Sequence, residues 1–189
     1  MLLETIRCEH NEAKYLSYHQ KRLDQGCQTL GITKRYDLET LITPPDEKLY
    51  RCRFLYDEQG CSVEFHPYSP KKISSLKLIT CDSLEYPLKY ADREVLNALF
   101  ELRAECDDVL IVKNGFLSDT TIANIALQID GVWLTPDKPL LRGTTRARLI
   151  DEGFLTPAPL RPSDIAKATK IALMNAMVGF IEVENGIIC

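Results

Sequence analysis

"NGFLSDTTIANIALQIDGVWLTPDKPLLRGTTR", residues 114–146, decides the fold. Two apolar runs, TIANIALQI and VWLTP, flank Asp130-Gly131, a dipeptide suited to the positive-φ corner of a tight hairpin. Upstream, DDVLIVKNG reads as a further strand. Downstream, LLRGTTRARLIDEG reads as a loop breaking into a helix, with Gly143, Thr144 and Thr145 where the helix begins. Arg146 and Arg148 then place positive charge at an end that ordinarily prefers negative charge. Two readings fit this stretch. One is a hydroxyl N-cap after a turn glycine, with the arginines on a solvated face. The other is an anion docked on the unpaired N–H groups of a helix N-terminus.

Working outward, "DREVLNALFELRAE" is an amphipathic helix with Val95, Leu96, Leu99 and Leu102 along one side. Beyond the Thr144 helix come a short "SDIAKA" helix and the strand-rich "KIALMNAMVGFIEVENGII", with Asn185-Gly186 as a second hairpin turn. Toward the N-terminus, "MLLETIRC" is a strand that "EHNE" turns into a second short strand near "KYLSY". A helix then runs from His19 to a stop at Gly31, and "YDLETLI" is a short helix ended by Pro44-Pro45. "LYRCRFLYDEQGCSVEFHPY" is a hairpin turning at Asp57 to Gly60, and "SLKLITC" is another strand. The pattern predicts an α/β (α+β) protein of two lobes: residues 1–81 as a small α+β lobe, and 82–189 as a larger, mainly antiparallel β lobe with helices.

Composition narrows the function classes. The 189 residues are 45% hydrophobic and 26% charged, as in an ordinary globular protein. A net charge of −4, with basic residues scattered, argues against a nucleic-acid partner. No apolar run approaches a membrane span, and no signal peptide is evident. Seven cysteines without C-x-x-C spacing, and three histidines that share no ligand spacing, favour neither zinc nor a disulfide framework. The expected setting is cytoplasmic, with reduced cysteines and no metal.

Several motifs follow one another in a telling order. "LLETIR" is followed by "HQKRL", with His19 and Arg22 one helical turn apart. "PLKYADR" sets Lys89 in an irregular segment before a helix. Gly115, Asp119 and Asn124 come next, then Gly143 to Arg146, then "MNAMVGFIEV". This succession resembles the class IV aminotransferases, the fold type IV pyridoxal-phosphate enzymes. They include D-amino acid and branched-chain aminotransferases and aminodeoxychorismate lyase. The resemblance covers nearly the whole chain, and "KYADR" with "NAMVGFIEV" looks closest to the lyase.

The resemblance implies pyridoxal 5′-phosphate as cofactor and a role for each residue. Lys89 is the Schiff-base lysine, because only lysine carries an amine on a flexible stem. Asp119 takes the place of the carboxylate that keeps the pyridine nitrogen protonated, usually a glutamate in the family. Thr144 and Thr145 offer N–H groups to the phosphate, Arg22 a charged fork, and Asn175 and Ala176 backbone donors. His19 fixes the geometry around Arg22, and Asn124 holds the strand crossing behind the ring. The implied partners are a small amino acid or amino-substituted acid substrate and a second copy of the chain. The implied reaction is formation of 4-aminobenzoate and pyruvate. The alternatives are transamination of a small D- or L-amino acid, and a cofactor-binding remnant without turnover.

The chain departs from the family in its substrate half. It starts almost on the "LLETIR" strand, with Leu3 where aminotransferases often carry an aromatic residue. A tight "DEQG" hairpin replaces the substrate loop. Arg51 and Arg53, alternate residues on one strand face, are the nearby candidates for a substrate carboxylate, with solvated strand charges as the competing reading.

Overall fold

The computed structural model describes residues 1–183 and the backbone of residues 187–188. The expected Asn185-Gly186 turn lies outside the described residues. Contacts divide the chain into two compact units, Met1–Pro70 with Leu88–Asp92, and Lys71–Pro87 with Arg93–Cys189.

In the first unit, His10 and Asn11 take left-handed backbone (φ 54 and 58) and fold β1 (Leu2–Glu9) onto β2 (Glu12–Ala13). The second strand therefore lies ahead of KYLSY, near which the sequence predicts it, and Leu16–Tyr18 of that stretch enter a helix instead. Tyr15, also left-handed, ends the strand, and α1 (Leu16–Leu30) begins ahead of the expected His19. Gly31 stops α1 in left-handed backbone (φ 67), as its position predicts. After α2 (Leu38–Leu41), β3 (Tyr50–Tyr56) and β4 (Cys61–Pro67) form the expected hairpin. The sheet order is β2-β1-β3-β4, antiparallel throughout.

The strand period of two sorts this sheet into faces. Leu2, Ile6 and Cys8 join Cys52, Phe54 and Tyr56 beneath Leu23 and Cys27 of α1. The helix lies so close at Gly26 that an added Cβ would meet the Leu2 side chain at 2.8 Å. β2 pairs only with Cys8 and Glu9, which leaves the other end of the β1 edge open. The segment Leu88–Asp92 fills it. Leu2 bridges Tyr90, Leu3 N–H donates to Lys89 O at 2.8 Å, and Ala91 N–H to Met1 O at 3.2 Å. Leu88 and Tyr90 pack on the Leu2 core, so Lys89 lies on the opposite sheet face with Leu3.

In the second unit, β5 (Leu76–Thr80) pairs parallel with β6 (Asp108–Lys113), which keeps it there rather than in the 1–81 lobe drawn from sequence. The helix α3 (Glu94–Glu101) precedes β6, and β7 (Phe116–Thr120) follows it in antiparallel pairing. Next come β8 (Asn124–Ile129), β9 (Val132–Pro136), α4 (Thr144–Asp151), β10 (Thr156–Ala158), a 3₁₀ turn (Pro162–Lys167), β11 (Lys170–Asn175), β12 (Gly179–Glu182) and β13 (Ile187–Ile188). The sheets run β10-β9-β8-β11-β12 and β13-β5-β6-β7. Parallel pairs join β10 to β9 and β13 to β5 within this largely antiparallel unit.

One core fills the space between these two sheets, with Leu76, Leu110 and Leu117 against Ile125, Leu127, Ile171 and Leu173. On the other face of the five-stranded sheet, Ala126 and Met174 pack with Leu149 of α4 and Leu155. By alternation, Asn124 falls on the same face as Ala126, the face that α4 covers. Among the described residues, no helix is long and apolar enough to cross a membrane.

Candidate active site

The first unit gathers Arg22 and His19 around a residue the motif reading passed over. Glu4 is completely buried on the α1 face of β1. Its Oε1 accepts from Arg22 Nε at 2.8 Å, and its Oε2 from Arg22 Nη2 and His19 Nδ1, both at 2.6 Å. Burial pushes the carboxyl up, but the charge of Arg22 and the hydrogen bonds from His19 and Arg22 outweigh it, holding Glu4 at about 2. With Glu4 ionised, His19 Nδ1 carries the proton and donates it. Burial lowers the His19 pKa against the opposing pull of Glu4, and the charges of Arg22 and Lys89 lower it further, so the ring stays neutral. His19 therefore orients the Glu4–Arg22 pair. The Nε–Nη2 edge of Arg22 is engaged by Glu4, and Nη1 is the side left to meet an anion. The sequence did carry a signal for Glu4: it occupies the apolar register of LLETIRC between Leu2 and Ile6.

The second unit assembles Asp119, Asn124 and the approach to α4 into a closed ring of hydrogen bonds. Asp119 Oδ1 accepts from Asn124 Nδ2 at 2.8 Å, and its Oδ2 accepts from Leu141 N–H at 2.8 Å. Asn124 Nδ2 also donates to Leu141 O at 2.8 Å. Burial pushes the Asp119 carboxyl up to about 7. The Leu141 and Asn124 hydrogen bonds and the charge of Arg146 only partly offset it.

Gly143 is the N-cap of α4, and a Cβ there would lie 2.0 Å from Asn124 Oδ1. Its backbone (φ −65) suits any residue, so glycine is required for space alone. No side chain caps α4, whose first intrahelical bond runs from Ala147 N–H to Gly143 O. The N–H groups of Thr144, Thr145 and Arg146 precede that bond, and both threonines are buried.

The arginines after the threonines do not face an anion. Arg146 is buried against β9, with Nη2 donating to Pro136 O at 2.7 Å and Nε to Thr135 Oγ1 at 3.3 Å. Arg148 pairs with Glu152 one turn on at 2.8 Å. Their positions record packing and an i,i+4 ion pair. Asn175 ends β11 and organises the next turn. Its Oδ1 accepts from Met177 and Val178 N–H, and its Nδ2 donates to Ile122 O at 3.3 Å. Met174 pairs with Asn124 in register, so Asn175 and Ala176 leave the sheet beside the Asp119–Asn124 corner. Arg93 Nη2 holds the same corner through Thr121 O at 2.8 Å.

A family model for amino-transferase class IV matches residues 63–185. The chain belongs to the class IV aminotransferases. These are pyridoxal-phosphate-dependent enzymes, aminotransferases or lyases. An uncharacterised protein of Haemophilus influenzae is 34% identical over 184 residues, spanning 94% of this chain and 98% of the relative. A Haemophilus somnus 129PT structure, named as a candidate 4-amino-4-deoxychorismate lyase, superposes with TM-score 0.89 at 34% identity, covering 94% of this chain and 96% of the other. The pyridoxal-phosphate-bound form of a Mycobacterium tuberculosis aminotransferase shares the fold at TM-score 0.80 and 18% identity, over 98% of this chain and 80% of its own.

The donor set fits the family's cofactor. An uncapped helix N-terminus, kept open by a glycine with no room for Cβ, suits a phosphate group. A buried carboxylate with two donors already in place keeps further lone pairs for a ring N–H.

Gly143→Ala should displace Asn124, lower stability by about 1–3 kcal/mol and weaken pyridoxal phosphate binding together. Thermal melting and cofactor titration check both, and an unchanged melt would show that Asn124 yields freely. The raised Asp119 pKa sets a second expectation. The unfolded side chain titrates near ~3.9 and the folded one near about 7, so the folded state binds the extra proton between them. This carboxyl therefore costs no stability below pH ~4, and its cost grows up to pH ~7 and then levels off. In denaturant melts of the cofactor-free protein, Asp119→Asn should remove that decline. Parallel profiles for variant and wild type would reject the assignment.

Proposed function

We propose that this chain is a pyridoxal-phosphate-dependent lyase that forms 4-aminobenzoate and pyruvate from aminodeoxychorismate. The observation that carries this reading is the H. somnus likeness over almost the full length of both chains, and the Asn124–Asp119 hydrogen bond and the uncapped start of α4 support it. Pyridoxal phosphate, when bound, supplies an aldehyde that exchanges amines and a ring that withdraws electrons.

The chain's own residues perform the rest. Lys89 Nζ is the amine that would hold the aldehyde and, as a free amine, would move the substrate's proton. Asp119 receives the ring N–H; a cation against this carboxyl draws off the proton that burial favours and keeps it ionised. The N–H groups of Thr144 and Thr145 and the backbone of Asn175 and Ala176 would hold the phosphate, and Arg22 Nη1 is the first unit's own donor to an anion. Glu4 and His19 fix the Arg22 side chain. Removal of the proton from the substrate carbon that bears the amine would accompany cleavage of the neighbouring carbon–oxygen bond; the enolpyruvyl group leaves and gains a proton to become pyruvate, and the amine stays on the aromatic product.

We also assign a homodimer in the cytoplasm. Val95 on α3 and Leu102 just past its end, with Tyr15, Ile122 and Phe154, are large apolar side chains left exposed on the single chain. Every described cysteine is a free thiol, in keeping with a reducing compartment.

Purified protein with pyridoxal phosphate should show a visible absorbance band that Lys89→Ala abolishes without loss of fold. It should release pyruvate from aminodeoxychorismate and keep the band after turnover. Rapid conversion of the cofactor to pyridoxamine phosphate by a simple amino acid, reversed by a keto acid, would replace the lyase with a transaminase. Sedimentation at micromolar concentration should report twice 21.5 kDa, and a monomer would remove any shared-site mechanism.

A further inference from the structure

Three basic residues stand side by side across the first sheet. Arg7 pairs in register with Arg51, and Arg51 with His66, so the row crosses β1, β3 and β4 on one face. Like charges directly opposite each other oppose pairing unless anions answer them. Carboxylates answer all but one. Glu9 takes both Nε and Nη2 of Arg7, at 2.8 and 2.7 Å. Glu64 takes His66 Nε2 at 3.1 Å and also Arg53 Nη1, from the neighbouring row, at 2.8 Å. Arg51 is exposed, and no carboxylate lies within ion-pairing distance of it among the described residues. The sequence leaves Arg51 and Arg53 as equal candidates. The register and the Glu64 pair separate them.

The same face carries Lys89. Tyr90 sits opposite Leu2 on the core side, which puts Lys89 beside Leu3 on the side of Thr5 and Arg7. Along this face the rows run Leu3–Leu55–Ser62, then Thr5–Arg53–Glu64, then Arg7–Arg51–His66. By its pairing Lys89 thus belongs to the apolar end of this face, and the unanswered guanidinium to the other. Leu3 and Arg7 are four residues apart, roughly 13 Å along the strand. Two long side chains reaching inward shorten that span to the scale of a substituted six-membered ring. An α-amino acid carries its amine and carboxylate on one carbon and cannot meet both ends.

We propose that Arg51 is a specificity-determining residue that binds a substrate carboxylate remote from the reacting amine, across a ring lying along this face. This rests on the lyase reading and deepens it, since it names the feature by which the site prefers such a ring acid to an α-amino acid. Arg51 contributes a charge-assisted hydrogen bond to that carboxylate.

The test is equilibrium binding of 4-aminobenzoate and of its neutral counterpart 4-aminobenzamide to the cofactor-loaded protein, which needs no turnover. Wild type should prefer the acid by about tenfold or more. Arg51→Gln should abolish the preference while leaving the benzamide affinity and the cofactor absorbance unchanged. Arg51→Lys should restore part of it, and Arg53→Gln should keep it. With aminodeoxychorismate, Arg51→Gln should raise KM far more than it lowers kcat. An undiminished acid preference in Arg51→Gln, with the wild type releasing pyruvate, would overturn this role and leave the lyase standing. Wild type that binds both probes equally and aminates keto acids would overturn both.

Discussion

Asp119 ties the second unit together at its chemically decisive corner. A fully buried carboxyl with no cation in contact needs donors, and two come from Asn124 and the backbone of Leu141. Those two bonds join β7, β8 and the approach to α4. Asn124 reaches Leu141 only because Gly143 leaves its Cβ position empty. The helix that follows must then begin without a side-chain cap, and its first N–H groups are left to a ligand. One steric requirement at Gly143 thus links the buried Asp119 carboxyl to the uncapped start of α4.

The first unit buries its own carboxylate by an opposite strategy. Glu4 and Asp119 are both fully buried, yet Glu4 is held at about 2 and Asp119 at about 7. The difference is the bidentate Arg22, supported by neutral His19, against which Asp119 has neutral donors and only the more distant charge of Arg146. Glu4 stays ionised and structural at every ordinary pH. Asp119, held at about 7, is the one of the two that changes charge near neutral pH. The Glu4 ion pair also restricts Arg22, since it engages one edge of the guanidinium and orients the other.

The two faces of the first sheet divide the labour. One face supports α1 through an apolar core that admits only the Glu4 cluster, and the other grades from Leu3 beside Lys89 to the basic row at Arg51. The period of two keeps these roles apart, so neighbouring residues such as Glu4 and Thr5 belong to different environments.

The sequence by itself determined the pieces whose causes are local. The Asp130-Gly131 corner (φ 50 and 79) and the Gly31 stop follow from backbone conformations that few residues adopt. The Asp57–Gly60 hairpin, the helix starting at Thr144 and the succession of family motifs are likewise legible within short windows. What only the tertiary structure decided involves partners far apart in the chain. Leu88–Asp92 returns to the first unit because a two-residue β2 leaves the β1 edge unpaired. Arg146 turns to β9 because a buried guanidinium must find oxygen acceptors, and Thr135 and Pro136 supply them. Arg51 differs from Arg53 only because Glu64 lies opposite one and His66 opposite the other. Local periodicity places a residue on a face, but which side chain meets it across that face depends on the pairing register of distant strands.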